Sequence, residues 1–279
     1  MPRIGGTPIP QPPPPGANEE FWRTFLLHGD PKERRNRAIF RRLPSNPRCR
    51  LCAAPFGGFG APLMRVIGKR PADNNPNLCS NCFTFITNNH GGAEIEISLL
   101  FADIRGSTRL AETMRPSAYR ALLDRFYNVA ADAVFANDGF LDKFVGDELV
   151  ATFVPLLAGE LHASRAVDAA RQLMKATGHG SAEGPWVPLG AGVHTGLSWM
   201  GAVGDGAAAN MTALGDSVNV TARLAALAEA GEILVTTDAA VAAGVDASAL
   251  PHRSLELKGR QQLTDVVSMR IDAAAPARA

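Results

Sequence analysis

The chain has 279 residues, 46% of them hydrophobic, and a formal net charge of +1. That is room for one domain of about 180 residues and a smaller module, with too much apolar content for a disordered chain. The near-neutral charge gives no global attraction to nucleic acid or anionic membrane. With no apolar run of 18 residues and no signal-peptide pattern at the start, a cytoplasmic protein without a membrane span is expected.

Residues 1–18 carry Pro8, Pro10 and the run Pro12 to Pro15, the composition of a disordered or polyproline-like tail. Residues 19–47 read as a helical segment, with Phe21, Trp22, Phe25, Leu26, Ala38, Ile39 and Phe40 available for burial. His28-Gly29-Asp30-Pro31 should break it in two, Asp30 capping the second piece. Arg34, Arg35, Arg37, Arg41 and Arg42 make this stretch basic. A solvated helix face is the expectation, ahead of a membrane-surface helix.

Residues 48–90 hold all four cysteines, as Cys49-x-x-Cys52 and Cys79-x-x-Cys82. In a reducing compartment two such knuckles complete a four-thiolate shell for one structural Zn²⁺; an iron–sulfur cluster and a redox dithiol are the alternatives. The loop between them is turn-rich, as in a zinc ribbon or treble clef. With no other large apolar set in view, the metal is expected to supply much of the folding energy.

From Glu94 the chain alternates strands and helices. Ile95 to Ile104 reads as a buried strand that ends in Asp103-Ile104 and breaks at Gly106-Ser107-Thr108. Residues 116–137 and 161–177 have helical spacing, and 140–153 is a hairpin turning at Val145-Gly146-Asp147-Glu148. Val187 to Thr195 and Leu197 to Val203 read as two strands joined at Gly196, and Ile233–Val235 and Val266–Met269 as later ones. The order is that of an α+β, ferredoxin-like βαββαβ layout, helices on one face and the other free for a partner subunit. If the first strand pairs with the hairpin, Asp103 and Asp147 end at one sheet edge. Two carboxylates there, beside the backbone N–H groups of Gly106, Ser107 and Thr108, suit Mg²⁺ and a triphosphate. A last constellation, Thr212 to Arg223, puts Asn219 and Arg223 one turn apart near a helix start capped by Asp216 or Ser217. Such a pair can hold a sugar oxygen and phosphate charge.

The segments Phe-Ala-Asp-Ile-Arg-Gly-Ser-Thr (101–108), Lys-Phe-Val-Gly-Asp (143–147) and Gly-Asp-Ser-Val-Asn-Val-Thr-Ala-Arg (215–223) resemble those of class III adenylate/guanylate cyclases. Gly192 to Gly196 and Leu257-Lys258-Gly259 extend the resemblance over roughly 94–272, leaving 273–279 as a disordered tail. The resemblance implies a homodimer that converts ATP to 3′,5′-cyclic AMP and pyrophosphate with two Mg²⁺ or Mn²⁺ per site. Asp103, Asp147 and the Ile104 carbonyl match the metal ligands, Lys143 and Thr212 the adenine-reading pair, and Lys258 a lysine that meets the terminal phosphates. Asn219 and Arg223 match the pair that orients the ribose and stabilises the transition state, facing the aspartates only across the dimer. Lysine with threonine resembles the bicarbonate-responsive subgroup. Gly190 departs from the arginine of many relatives and puts the grip on the triphosphate tail in question. His194 sits in a familiar segment, where a hydrogen-bonded structural histidine is expected.

Two other readings compete. Val-Gly-Asp-Glu-Leu faintly resembles a diguanylate cyclase signature, which the Asn219/Arg223 helix argues against. A non-catalytic, cyclase-like regulatory dimer with the zinc module as adaptor for a regulatory partner would have no need of all five site residue types. Nucleic acid is not an expected partner.

Overall fold

The computed structural model describes residues 3–4, 7–8, 17–29, 31–43, 47–73, 75–204, 209–257 and 263–271. Most of the proline-rich tail therefore lies outside the described residues. Arg3–Ile4 (β1) and Thr7–Pro8 (β2) pair antiparallel. Helices α1 (Ala17–His28) and α2 (Pro31–Arg42) meet at the expected break, where Gly29 takes φ +62; Asp30 is outside the described residues. The cysteine segment adds α3 (Ala61–Val66) and α4 (Ser80–Asn88). Then follow β3 (Gly91–Ile104), α5 (Ser107–Thr113), α6 (Pro116–Ala136), β4 (Phe140–Val145), β5 (Glu148–Phe153), α7 (Pro155–Ala158) and α8 (His162–Ala176). The chain continues through β6 (Leu189–Val203), β7 (Asn210–Leu214), α9 (Asp216–Leu227), β8 (Glu232–Thr236), α10 (Thr237–Ala242), β9 (His252–Leu255) and β10 (Thr264–Arg270).

One sheet runs β4-β5-β3-β6-β8-β10-β9, with β7 on the far end of β6. Its first four strands, with α6 and α8 between them, are the expected βαββαβ unit. The two-residue period of β3 divides its side chains between two cores. Leu100, Ala102 and Ile104 face Phe126 and Val134 of α6 and Leu173 of α8. Ile95, Ile97, Leu99 and Phe101 face the other way, into a core with Trp22 and Leu26 of α1, Leu78, Ile86 and Ala225 of α9. No helix of the described residues is long and apolar enough to cross a membrane.

Several expectations change here. The second sheet face is not free: α1, the cysteine segment and α9 cover part of it. The cysteine segment also has a substantial apolar set, because Leu51, Phe56, Met64, Leu78 and Ile86 are buried in that shared core. Of the arginines read as a solvated face, Arg37 is only 3% exposed and donates to the carbonyls of Leu51 and Gly139. Burial, its largest influence, lowers its pKa to about 10. Arg41 pairs with Asp138. These two cations fasten the N-terminal segment to the start of β4. Finally, β6 is one continuous strand. Gly196 does not break it; a Cβ there would lie 2.8 Å from His194 Nε2 and 2.9 Å from Ser217 Oγ, so the glycine marks a close approach.

Candidate active site and cysteine cluster

The register of β3 against β5 opposes Asp103 to Glu148, and Asp147 sits in the β4–β5 turn beside it, after Gly146 at φ +61. The two predicted carboxylates thus share one sheet edge, with Glu148 as a third that the sequence did not single out. Burial, then Asp147, push the Asp103 carboxyl up to about 6, against the pull of Arg105. Burial and the charges of Asp103 and Asp147 push Glu148 up to about 7. Such a cluster is short of positive charge, the condition a bound cation relieves. Arg105 supplies part of it: it pairs with Asp103 and donates to the carbonyls of Ala226 (2.8 Å) and Ala228 (3.4 Å) at the C-terminal end of α9. Ile104 ends β3; Gly106, at φ +71, precedes α5, which begins Ser107-Thr108. Tyr127 stacks on Phe144 (centroids 4.0 Å apart) and donates to the Gly146 carbonyl, bracing the turn that carries Asp147.

Lys143 on β4 and Thr212 on β7 come together, Nζ to Oγ1, at 3.2 Å. The short strand that delivers Thr212 was not legible, and neither was a third member, Asp142. Thr212 donates to Asp142 Oδ2 at 2.5 Å, and Lys143 Nζ lies 3.5 Å from that same oxygen. Beside them a cavity of about 180 Å³ is lined by Lys143, Glu148, Val150, Val218 and neighbours. That is below the roughly 300 Å³ of an ordinary small-molecule site.

Helix α9 starts at Asp216 with Gly215 as its N-cap. Neither expected cap serves: Asp216 is inside the helix, and Ser217 Oγ instead donates to the Leu197 carbonyl (2.8 Å), tying the helix to β6. Buried Val220 and Leu224 hold the helix down and leave Asn219 exposed and Arg223 half-buried. No hydrogen bond or ion pair among the described residues joins either to the carboxylate cluster. Lys258 lies outside the described residues. His194 is held by Thr236 (Nδ1 to Oγ1, 3.0 Å), as a structural histidine would be. At Gly190 a Cβ would sit 2.6 Å from the Ala228 carbonyl oxygen, so the packing of the α9–β8 connection forbids a side chain there.

The four cysteines are free and buried, and their sulfurs lie within 4.8 Å of one another. Cys79 is the N-cap of α4 and Cys82 lies in its first turn. Cys52 and Cys79 are 3.7 Å apart, close to the roughly 3.8 Å edge of a tetrahedron with 2.3 Å metal–sulfur bonds. Burial pushes the Cys49 thiol up, whereas hydrogen bonding from Cys49 and its neighbours holds Cys79 down. Lys69 Nζ, 3.8 Å from Cys52 Sγ, adds a compensating cation. The cluster could hold a metal ion. It also touches the other site: Arg50, inside the first knuckle, donates to the Asp142 carbonyl at 2.7 Å, and Asn75 to that of Ala209 at 3.3 Å.

A ferredoxin-like sheet with paired carboxylates at its edge and a polar helix beside it defines the nucleotide cyclase class. Residues 92–268 match the family model of the adenylate and guanylate cyclase catalytic domain, and the chain belongs to that family. It is 31% identical over 178 residues to a terminal-differentiation-specific adenylate cyclase of Dictyostelium discoideum, covering 61% of this chain and 8% of that protein. It is 29% identical over 171 residues to an adenylate cyclase of Anabaena cylindrica, covering 57% of this chain and 34% of that one. The crystal structure of the adenylyl cyclase CyaB from P. aeruginosa superposes with a TM-score of 0.56 at 25% identity, over 66% of this chain and 97% of that one. A guanylyl cyclase structure gives 0.58 at 24% identity, over 67% and 97%. The chain thus spans about a third or less of the length of the two curated relatives, and the fold alone does not choose the purine.

Proposed function

We propose that the protein is an adenylate cyclase, converting ATP to 3′,5′-cyclic AMP and pyrophosphate at sites shared between two copies of the chain. The observation that carries this reading is the 3.2 Å contact between Thr212 of β7 and Lys143, which lies on the same hairpin as the Asp147 turn. A lysine donor suits adenine N1, and a hydroxyl acceptor suits the N6 amino group; guanine reverses both edges. Asp103, Asp147 and the Ile104 carbonyl would hold two Mg²⁺ or Mn²⁺, which when bound favour ionisation of the ribose 3′-hydroxyl and offset charge on the phosphates. The backbone N–H groups at Gly106, Ser107 and Thr108 face phosphate oxygens, and Lys258 is assigned to the terminal phosphates. Asn219 orients the ribose, and Arg223 meets the negative charge that grows as the 3′-oxygen attacks the α-phosphorus and pyrophosphate leaves.

The small cavity, and the absence among the described residues of any hydrogen bond or ion pair from Asn219 or Arg223 to the carboxylates, support a site completed by a second subunit. The near-tetrahedral sulfur spacing supports one Zn²⁺ per chain, closed to catalysis, rather than a multi-iron cluster. Four free thiols fit a cytoplasmic setting. The test is to incubate the purified protein with ATP and, separately, GTP in the presence of Mn²⁺ and identify the products. Cyclic AMP with little cyclic GMP is expected; equal turnover removes Lys143 and Thr212 from base selection.

A further inference from the structure

We propose that Asp142 is a positioning residue for base selection: its buried carboxylate accepts the hydrogen bond of the Thr212 hydroxyl and so fixes Thr212 as a hydrogen-bond acceptor toward the purine. This rests on the adenylate reading and goes one step behind it. A threonine hydroxyl alone is ambivalent, able to donate or accept, and would serve adenine N6–H or guanine O6 equally well. Here the ambiguity is removed. Asp142 is 2% exposed and its Oδ2 receives the Thr212 hydroxyl at 2.5 Å. One of the two acceptor lone pairs of Thr212 takes the Lys143 ammonium at 3.2 Å, and the second is left for the purine. Among the described residues Asp142 Oδ1 has no hydrogen-bond partner, so the side-chain contacts of the carboxylate converge on Oδ2, toward Thr212 and Lys143. Burial pushes the Asp142 carboxyl up, while the Thr212 hydroxyl, Lys143 at 3.5 Å from Oδ2 and Arg50 pull it toward the ionised, acceptor-only form. Its backbone is pinned as well: Arg50 of the cysteine segment donates to the Asp142 carbonyl at 2.7 Å, fixing β4 where the side chain departs. Thr212 and Asp142 together thus present the acceptor that a single aspartate at 212 would present by itself.

The test uses the full-length protein and compares kcat/KM for ATP and GTP in wild type, Asp142→Ala, Thr212→Asp and the double variant, each checked for folding by its melting temperature. Asp142→Ala should lose about tenfold or more of the ATP preference, because the freed hydroxyl also serves guanine O6. Thr212→Asp should lose activity, since it sets a second carboxylate against Asp142. The double variant, with the second carboxylate gone, should regain ATP preference over Asp142→Ala, which a merely structural Asp142 would not produce. An unchanged ratio in Asp142→Ala, or a double variant no more selective than it, overturns the proposal. If Asp142→Ala does not fold, wild type that uses purine riboside triphosphate, which lacks the N6 donor, as well as ATP overturns it too. A wild type that prefers GTP removes the adenine reading and this role with it. A wild type that prefers ATP, with an Asp142→Ala that keeps the ratio, removes this role alone.

Discussion

Removing the metal proposed at the cysteine cluster should destabilise the cyclase sheet as well as residues 48–90. Ile97, Leu99 and Phe101 are almost completely buried on the face that shares its core with Trp22, Leu26 and Ile86. At about 1.5–3 kcal/mol for each large apolar side chain returned to water, uncovering those three costs on the order of 5–9 kcal/mol as an upper bound. A whole domain is stable by only about 5–15 kcal/mol, so the two parts should unfold together. The perturbation is Cys79→Ser, or chelation of the wild type. The assay is denaturant unfolding followed by tryptophan fluorescence, to which Trp22 contributes, and by far-ultraviolet circular dichroism from the cyclase helices. Coincident curves that shift together to lower denaturant are expected. A cysteine segment that melts alone, with the cyclase midpoint unchanged, would refute the shared-core argument.

Asp103→Ala and Asp147→Ala should each abolish turnover with the melting temperature within a few degrees of wild type; near-normal rates at saturating Mn²⁺ would contradict the metal assignment. The raised Asp103 carboxyl, about 6 when folded, binds its proton more tightly in the folded than in the unfolded state. It therefore favours folding below the ordinary carboxylate pKa, and that contribution is lost as pH rises through 6. Metal-free Asp103→Asn, which mimics the protonated form, should melt above wild type at pH 8, the gap closing toward pH 5; a gap that widens with acid reverses the sign. Lys143→Glu with Thr212→Cys should weaken ATP use and raise relative GTP use. The two contacts, each worth about 1–3 kcal/mol, allow discrimination of about 10²-fold, and an unchanged product ratio counts against their role.

The regular parts of the fold were legible because each carries its own local signal. The mostly apolar, β-branched and aromatic run from Ile95 to Ile104 marks β3, and helical spacing from Tyr119 to Val134 marks α6. The meeting of Asp103 with the Asp147 turn followed from pairing two recognisable strands. What stayed hidden depends on distant contacts. Gly196 reads as a break in any sequence, and only the approach of Ser217 and His194 explains it inside a strand. Arg37 looks like any other arginine of a basic helix until Leu51 and Gly139 offer their carbonyls. Asp142 beside Lys143 reads as an ordinary polar strand residue, because Thr212, which gives it a role, is 70 positions away. The capture of the second sheet face by α1 is likewise a matter of where the N-terminal segment docks, which its own periodicity does not specify.

The central claim is that carboxylates of one chain and the Asn219–Arg223 pair of another make a single cyclising site. Mixing two inactive proteins, Asp103→Ala and Arg223→Ala, tests it most directly. A mixed dimer keeps one site with both residues intact, so cyclic AMP production should return at up to about a quarter of the wild-type rate for equal mixing with free exchange, because half the dimers are mixed and each has one working site. No activity from a mixture in which subunit exchange is demonstrated would contradict the claim.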